Sequence, residues 1–397
     1  MKGAVVLIAA LAACVVPSVA AQRIKLAASL ADLEKAARKD SGDAAAHYNV
    51  ALAYWNAKRW DDADSALHRA IRLEPRFAAA YMGLAALPYA RRPQLFDEEF
   101  DNRVPTELRR TVEESERRYR QAVLIDPLVE VRIGYVMLPP STSNFQTSLA
   151  VMFGDWFDDY VEGRQLYFQG EYQESYIRFQ RVYNELDAEH HPSRLFNTLL
   201  FWHGLAAAQV GKYDDAVWDF ATILTRLENT EAAAKDSTLR LPLRTNEFRY
   251  ILGVMKQRAG KPNEAIDLYR QALQNDIGLY MAQVRLAQIY EEHNMLPQAV
   301  VQRRAAINTN PDDASLLLDL GKTLARANQW IDAEQALQQA VAANPRDPRP
   351  YYFLGIVQQH QNKTAEARAA FTDFVTRAPT RFGPQVADAK QRLNALQ

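Results

Sequence analysis

The sequence predicts an all-α solenoid, and three observations carry that prediction. Equivalent apolar and small residues recur every 34 residues through the C-terminal half of the chain. Only 15 of the 397 residues are glycine, which disfavours turn-rich β architectures. Hydrophobic residues make up 48% of the chain, enough to form a buried core. A repeat of this length is typical of stacked helical hairpins, because neither helix of a hairpin can bury its apolar stripe alone.

Charge and cysteine content exclude several classes of protein. Lys and Arg total 47 and Asp and Glu total 48, so the formal net charge is -1. This balance argues against a nucleic-acid binder that acts through bulk electrostatics. The single cysteine, Cys14, excludes an intramolecular disulfide framework, an iron–sulfur cluster and a multi-cysteine zinc site.

Residues 1–21 predict a secretory signal peptide. Lys2 supplies the positive charge, residues 4–16 form a short apolar segment, and small residues follow it. Cleavage is expected after Ala21, or after Ala20. Because the apolar segment is too short for a permanent anchor, the mature chain is expected to have no transmembrane segment. We expect an exported bacterial protein, in the periplasm or associated with the outer membrane.

Lipidation is the alternative fate of this N-terminus. Residues 11–14, Leu-Ala-Ala-Cys, resemble the lipobox of bacterial lipoproteins, in which the cysteine is acylated and becomes the mature N-terminus. The apolar run continues beyond Cys14, where a lipoprotein usually turns polar. Ordinary cleavage is therefore favoured, and a lipid anchor at Cys14 stays open.

The 34-residue period is clearest between residues 314–346 and 348–380. Eight positions align, and their residues in the two segments are Leu317 and Tyr351, Leu320 and Leu354, Gly321 and Gly355, Leu324 and Gln358, Ala333 and Ala367, Leu337 and Phe371, Ala340 and Phe374, Pro345 and Pro379. Each segment contains two apolar stripes at helical spacing with a turn between them. The closing proline ends the second helix, because proline cannot continue one.

This pattern resembles the tetratricopeptide repeat, a 34-residue helix-turn-helix with large apolar, Leu, Gly or Ala, Tyr, Ala, aromatic, Ala and Pro residues at eight positions. The resemblance covers most of the chain and implies a right-handed α-solenoid of about eight units. Three departures limit it. An insertion splits the second unit, Ile277 replaces a closing proline, and Arg303 occupies a slot that is usually aromatic.

The expected organisation contains two insertions and two capping helices. In order, we expect a signal peptide at 1–21, an N-terminal capping helix at 22–43, units 1–2 at 44–127 with an insertion at about 91–105, an irregular apolar segment at 128–155, units 3–4 at 156–230, an insertion at 231–245, units 5–8 at 246–380, and a C-terminal capping helix at 381–397.

No catalytic, cofactor or metal motif is found in the sequence. The patterns G-x-S-x-G, H-E-x-x-H and G-x-G-x-x-G do not occur. Residues 321–323 resemble the end of a phosphate-binding loop, but Leu316 stands where its first glycine belongs. An enzyme would require a cluster of perturbed carboxylates around Asp155, Asp158 and Asp159. We expect no enzyme activity, no cofactor and no metal.

The resemblance implies a groove lined by the first helices of the repeats, which holds a peptide or partner segment. The groove is expected to be aromatic in its first half and polar in its second. The expected partner-binding residues are Tyr48, Trp55, Tyr89, Tyr160, Arg164, Tyr167, Phe168, Phe201, Tyr250, Arg258, Lys322, Arg326 and Tyr352. Exposed aromatic rings suit binding because they give a large contact area at low entropy cost. Alternatively, the insertions and residues 128–155 cover these rings.

The expected function is a non-catalytic scaffold for protein–protein interaction in the bacterial cell envelope. Its partner is a protein or peptide of unknown identity and not a nucleic acid, and the oligomeric state is open. The carboxylate clamp of chaperone-binding members, Lys at position 5 with Asn at position 9, does not occur here. The alternative function is binding of a carbohydrate or small ligand on the aromatic half of the groove.

Overall fold

The computed structural model describes residues 28–92, 94–95, 104–129, 156–186, 194–233 and 243–396. These residues form α-helices and two 3-10 turns, at Thr106–Leu108 and Thr380–Phe382, and contain no strand. The all-α prediction is confirmed. The helices are α1 Leu30–Lys39, α2 Ala44–Asn56, α3 Trp60–Leu73, α4 Ala78–Arg91, α5 Arg109–Ile125, α6 Trp156–Gln169, α7 Tyr172–Glu185, α8 Arg194–Gln209, α9 Tyr213–Ala233, α10 Thr245–Arg258, α11 Pro262–Asn275, α12 Tyr280–Glu292, α13 Leu296–Thr309, α14 Ala314–Arg326, α15 Trp330–Ala343, α16 Arg349–His360, α17 Thr364–Arg377 and α18 Gly383–Ala395.

The turns between paired helices repeat the sequence period in the backbone. Gly260, Asn294, Asn328 and Asn362 each have a φ between 56° and 73°, and they recur every 34 residues. This left-handed conformation favours glycine and asparagine because a larger side chain crowds its own backbone there. In each of these repeats, a residue with positive φ at the same position therefore separates the first helix from the second.

A glycine of the first helix packs against a large residue of the second, sixteen positions later. The pairs are Gly163 with Phe179, Gly204 with Phe220, Gly321 with Leu337, and Gly355 with Phe371. A Cβ atom added at Gly321 would lie 2.6 Å from Cγ of Leu337. The small residue predicted at this slot therefore allows the two helices to approach each other closely.

Replacing Gly321 by alanine is expected to lower the free energy of unfolding. Overpacking a core costs about 1–3 kcal/mol, which exceeds the gain of about 1 kcal/mol in helix propensity. Urea unfolding followed by circular dichroism measures the difference. The control is Gly383→Ala in α18, where no heavy atom lies within 4 Å of the added Cβ. A stabilised Gly321→Ala protein would contradict the close-packing interpretation.

The described residues form two compact units. One unit takes residues 78–268, and the other combines residues 26–77 with residues 269–397. The boundary therefore falls inside α11. A periodic sequence predicts which helices pair locally, but it carries no signal for packing between repeats hundreds of residues apart.

In the second unit, the N-terminal repeat contacts the C-terminal repeats. Asn344 donates from its side-chain nitrogen to the backbone oxygen of Arg72 at 3.2 Å. Arg381 lies 3.2 Å from the Asp43 carboxylate, and Thr380 donates to Asp40 at 2.9 Å. These contacts join residues 40–72 to residues 344–381, far apart in the chain.

α1 and α18 each pack on the helix next to them in the chain. α1 packs on α2, and Tyr54 of α2 donates to Glu34 of α1 at 2.9 Å. α18 packs on α17 and buries Ala389.

The first unit contains the split repeat. The second helix of this repeat was predicted to follow the insertion. It is α5, which packs against α4. The Tyr250 hydroxyl of α10 donates to the backbone oxygen of Leu124 at 2.7 Å, and Gln209 of α8 donates to that of Leu128 at 3.1 Å. Across both units, the described helices include none with the length and apolar character needed to cross a bilayer.

Candidate partner-binding site

The predicted binding residues all lie on first helices of helical hairpins. Tyr48 and Trp55 are on α2, Tyr89 on α4, Tyr160, Arg164, Tyr167 and Phe168 on α6, Phe201 on α8, Tyr250 and Arg258 on α10, Lys322 and Arg326 on α14, and Tyr352 on α16. The side chain of Phe168 lies outside the described residues. The remaining residues divide between the two units.

Four of the predicted aromatic residues of the first unit are buried, which corrects the expectation that their rings are exposed; they are Tyr89, Tyr160, Tyr167 and Tyr250. Tyr89 packs with Leu95 and Val112. The Tyr167 ring contacts those of Tyr172 and Trp202, at centroid distances of 5.1 Å and 5.5 Å. These rings are large enough to reach the next helix of the stack and pack there.

Helices α8 and α10 continue this aromatic core. Phe201 is half-buried, with its ring centroid 6.0 Å from that of Phe220 and 6.2 Å from that of Phe248. Tyr250 is fully buried. Arg258 remains more accessible, and its guanidinium lies 3.8 Å from the Asp126 carboxylate.

Arg164 is buried among these rings, with 4% of its surface exposed. Its guanidinium carbon lies 4.7 Å from the centroid of Trp202 and 5.8 Å from that of Tyr160. Burial lowers the pKa of this guanidinium below its ordinary value, while the nearby hydroxyls of Tyr160 and Tyr119 oppose the shift. Burial also raises the pKa of Tyr119 to about 12.

In the second unit, the predicted aromatic residues are also partly covered. Trp55 is buried and makes an edge contact with Trp60 at 5.6 Å, and Tyr48 packs on Phe77 at 5.1 Å. Tyr352 donates from its hydroxyl to Asp388 of α18 at 2.8 Å. The Tyr352 hydroxyl is therefore already hydrogen-bonded to a residue of α18.

Lys322 and Arg326 are the exposed charged residues among the predictions for the second unit. Their side chains are 44% and 53% exposed. The Lys322 ammonium lies 5.4 Å from the centroid of Phe353 and 3.7 Å from the Asp319 carboxylate. Arg326 donates to the backbone oxygen of Glu291 at 3.0 Å. One turn of α14 thus presents two positive charges beside an aromatic ring.

An ion network lies beneath these two charges. Arg303 of α13 donates from Nε and Nη2 to the Glu291 carboxylate, each at 3.1 Å. Asp319 of α14 accepts from Arg76 at 2.6 Å and from Arg303 at 3.4 Å. Burial would raise the pKa of Asp319, but Arg76, Arg303 and Lys322 outweigh it and hold that pKa below its usual value.

Sequence reasoning missed most of this network. The sequence does single out Arg303, because it stands where the repeat pattern usually has an aromatic residue. Nothing in the sequence singles out Arg76, because its partners, Ser315 at 2.7 Å and Asp319, lie more than 230 positions away. The repeat register predicts Phe201 as the groove residue of α8, whereas the ring beside Arg164 is that of its neighbour Trp202.

A buried pair of titratable side chains joins α8 and α9. Nδ1 of His203 lies 2.6 Å from Oδ2 of Asp219, and both residues are buried. Burial raises the pKa of Asp219 to about 6, although the hydrogen bond to His203 opposes this shift. Asp159 pairs with Arg178, whereas Asp155 lies outside the described residues.

The described residues include no group of three or more His, Cys, Asp or Glu side chains placed to hold a metal ion.

Family models of the tetratricopeptide repeat match residues 45–76 and 318–382. The chain is also 35% identical over 97 residues to "Cytochrome c-type biogenesis protein CycH" of Rhizobium meliloti, a match covering 24% of this chain and 26% of that protein. It is 28% identical over 145 residues to "TPR repeat-containing protein PA4667" of Pseudomonas aeruginosa, covering 31% of this chain and 25% of that protein. The chain thus spans about a quarter of the length of these relatives.

Solved structures give more distant similarities. The C-terminal part of a TPR repeat-containing protein from Cytophaga hutchinsonii aligns with a TM-score of 0.47 and 15% identity, covering 59% of this chain and 85% of that one. MamA from Desulfovibrio magneticus aligns with a TM-score of 0.38 and 17% identity, covering 45% of this chain and 93% of that one.

Proposed function

Because this chain carries tetratricopeptide repeats, we propose that it is a protein–protein interaction scaffold of the bacterial cell envelope, which holds a partner segment on the first helices of its repeats. The repeat family and its fold are typically non-catalytic, and the proposed role is binding. The observation that carries the proposal is the exposed pair Lys322 and Arg326 on a first helix of the second unit.

The chemistry of this surface favours an acidic partner segment with an apolar neighbour. The Lys322 and Arg326 side chains point from one face of α14, being four positions apart. The half-buried Phe353 ring lies next to Lys322 and supplies apolar contact area. The carboxylates nearest to Arg326 and Lys322 are those of Glu291 at 3.9 Å and Asp319 at 3.7 Å. Exposed ion pairs of this length are weak, so a partner carboxylate can compete for both cations.

Charge reversal on α14 tests the binding surface. The double variant Lys322→Glu and Arg326→Glu is expected to reduce partner recovery about tenfold or more, because two attractive contacts become repulsive. Crosslinking in envelope fractions, followed by mass spectrometry, measures the recovery. The matched control is Arg304→Glu with Arg368→Glu, which makes the same change in net charge on exposed positions of the second helices α13 and α17.

Equal recovery with the test and control variants would place the binding surface elsewhere on the protein. Recovery of no specific partner by the unmodified chain would count against the scaffold function itself.

The envelope location is supported by residues 1–21, with their basic start and short apolar segment. A protein that matches 24% of this chain is named for cytochrome c-type biogenesis, and this name also supports an envelope location. Mass spectrometry of the mature N-terminus distinguishes the two routes of export. Ordinary cleavage is expected to leave Gln22 first, whereas a diacylglyceryl group on Cys14 would establish lipidation instead.

A further inference from the structure

Arg76, in the loop that follows α3, joins the N-terminal repeat to helix α14. Its Nη2 donates to Oδ2 of Asp319 at 2.6 Å, and its Nε donates to the Ser315 hydroxyl at 2.7 Å. Nε also lies 3.4 Å from the buried carboxylate of Asp313. The Arg76 side chain is itself only 19% exposed. This arginine is therefore largely covered by carboxylates that lie more than 230 positions away in the chain.

Asp319 lies between this arginine and the exposed Lys322. Its Oδ1 is 3.7 Å from the Lys322 ammonium, one turn further along α14, whereas its Oδ2 accepts from Arg76. Arg303 is farther from Asp319, at 3.4 Å, and donates from both Nε and Nη2 to Glu291. Of the three cations paired with Asp319, Arg76 is the nearest. It is therefore the main counter-ion of this carboxylate.

The ion pairs around Asp319 have a small excess of positive charge, and that excess depends on Arg76. They join four cations to three carboxylates, namely Arg76, Arg303, Lys322 and Arg326 to Glu291, Asp313 and Asp319. Lys322 and Arg326 are the exposed cations of this group. Without Arg76, the positive and negative charges of the group would balance, and the exposed cations would have to compensate the carboxylates beneath them.

We propose that Arg76 controls the positive charge that α14 presents at Lys322, by neutralising Asp319. This inference rests on the proposed scaffold function and names a regulator of the same surface, the docked N-terminal repeat. While Arg76 holds Asp319, the Lys322 ammonium stays near the Phe353 ring, 5.4 Å from its centroid, and is open to a partner carboxylate. Without Arg76, the flexible lysine side chain closes on Asp319, and an acidic partner loses one of its two cations.

Docking of the N-terminal repeat and binding at α14 are therefore coupled in both directions. A partner carboxylate that engages Lys322 leaves Asp319 to Arg76, which strengthens the contact that holds the N-terminal repeat. By linkage, the factor by which docking strengthens binding equals the factor by which binding strengthens docking. The docking contacts of Asn344 and Arg381 are made to other groups, so among these contacts Arg76 carries the coupling.

Acetylation of lysines in the full chain by a low dose of acetic anhydride tests the control of Lys322 without a partner. Peptide mass spectrometry measures the labelling rate of Lys322 relative to that of Lys390, an exposed lysine of α18. Arg76→Met is expected to slow the labelling of Lys322 about threefold or more, because an ammonium paired with a carboxylate keeps its proton. Adding Asp319→Asn is expected to restore the rate, since asparagine has no charge to attract the ammonium.

Two further variants complete the labelling experiment. Arg72→Met is the matched control, because Arg72 is an exposed arginine four positions before Arg76, and it is expected to leave the rate at Lys322 unchanged. Asp319→Asn alone keeps Arg76 and is expected to label Lys322 at least as fast as the unmodified chain. This single variant tests the inference even if Arg76→Met does not fold.

Partner recovery in the crosslinking experiment provides the second measurement. Arg76→Met is expected to lower recovery about fivefold or more, as is typical of coupled sites, and Asp319→Asn in that background to restore most of it. A purely structural role of Arg76 predicts no such rescue, because asparagine at position 319 does not replace the contact that docks the N-terminal repeat.

Unchanged labelling of Lys322 in Arg76→Met, or a slower rate that Asp319→Asn does not reverse, would overturn the inference. Slower labelling of Lys322 in Asp319→Asn alone would overturn it as well. The scaffold function would survive these results if the Lys322 and Arg326 charge reversal still lowered partner recovery. Conversely, the expected labelling pattern with recovery unaffected by that charge reversal would overturn the proposed function and leave the control of Lys322 by Arg76 standing.

Discussion

Arg303→Met is expected to lower the free energy of unfolding by about 3–5 kcal/mol, the range found when one member of a buried ion pair is removed. The guanidinium is the shared partner of Glu291 and Asp319, and Nε and Nη2 each donate to Glu291 at 3.1 Å. Methionine fills a similar volume but provides no positive charge. The variant therefore leaves Glu291 with reduced compensation in a largely buried position, while Asp319 keeps its contact with Arg76.

The measurement is urea-induced unfolding followed by helical circular dichroism. Arg304→Met is the matched control, because Arg304 is the adjacent residue on α13 and is exposed. Its effect is expected to stay within about 0.5 kcal/mol, as is usual for surface substitutions. If the two variants were equally stable, the ion network would contribute nothing to the folded state.

Phe371→Ala is expected to cost a similar amount, about 3–5 kcal/mol, because it removes a fully buried ring and leaves a cavity. Phe371 is 0% exposed, and its ring atoms lie 2.8 Å from the position of a Cβ added at Gly355. The ring therefore fills the space that the glycine leaves open. Chemical denaturation measures the loss, with Ile331→Ala as the control, since Ile331 is 77% exposed.

A double-mutant cycle tests the pairing of Gly355 with Phe371. Gly355→Ala alone is expected to destabilise the protein through its clash with the ring. In the Phe371→Ala background the same change meets no ring, so the two effects should not add. Simple additivity would show that the two helices can separate without loss, which contradicts the tight contact.

Local features of the fold follow closely from the sequence. The glycine slot at 321 and 355, the closing prolines and the turn residues at 34-residue spacing depend on contacts between positions close in the chain. Helical periodicity and left-handed turns are local physical preferences, so a single sequence is sufficient to predict them.

The candidate site was predicted less well, for a physical reason. Position in the repeat correctly places Tyr160, Tyr167 and Tyr250 on first helices, but all three are buried. Exposure depends on what packs against a face, and that is a tertiary property. Lys322 and Arg326 remain exposed on α14.

By itself, the sequence predicted an all-α stack of helical hairpins, because each hairpin is specified by short-range spacing of small, apolar and turn residues. Only the tertiary structure decided that Arg76 reaches Asp319 across 243 positions, and that Arg303 is paired whereas Arg164 is surrounded by rings. Such long-range contacts depend on how the helices pack in three dimensions, and no periodic pattern along the chain encodes them.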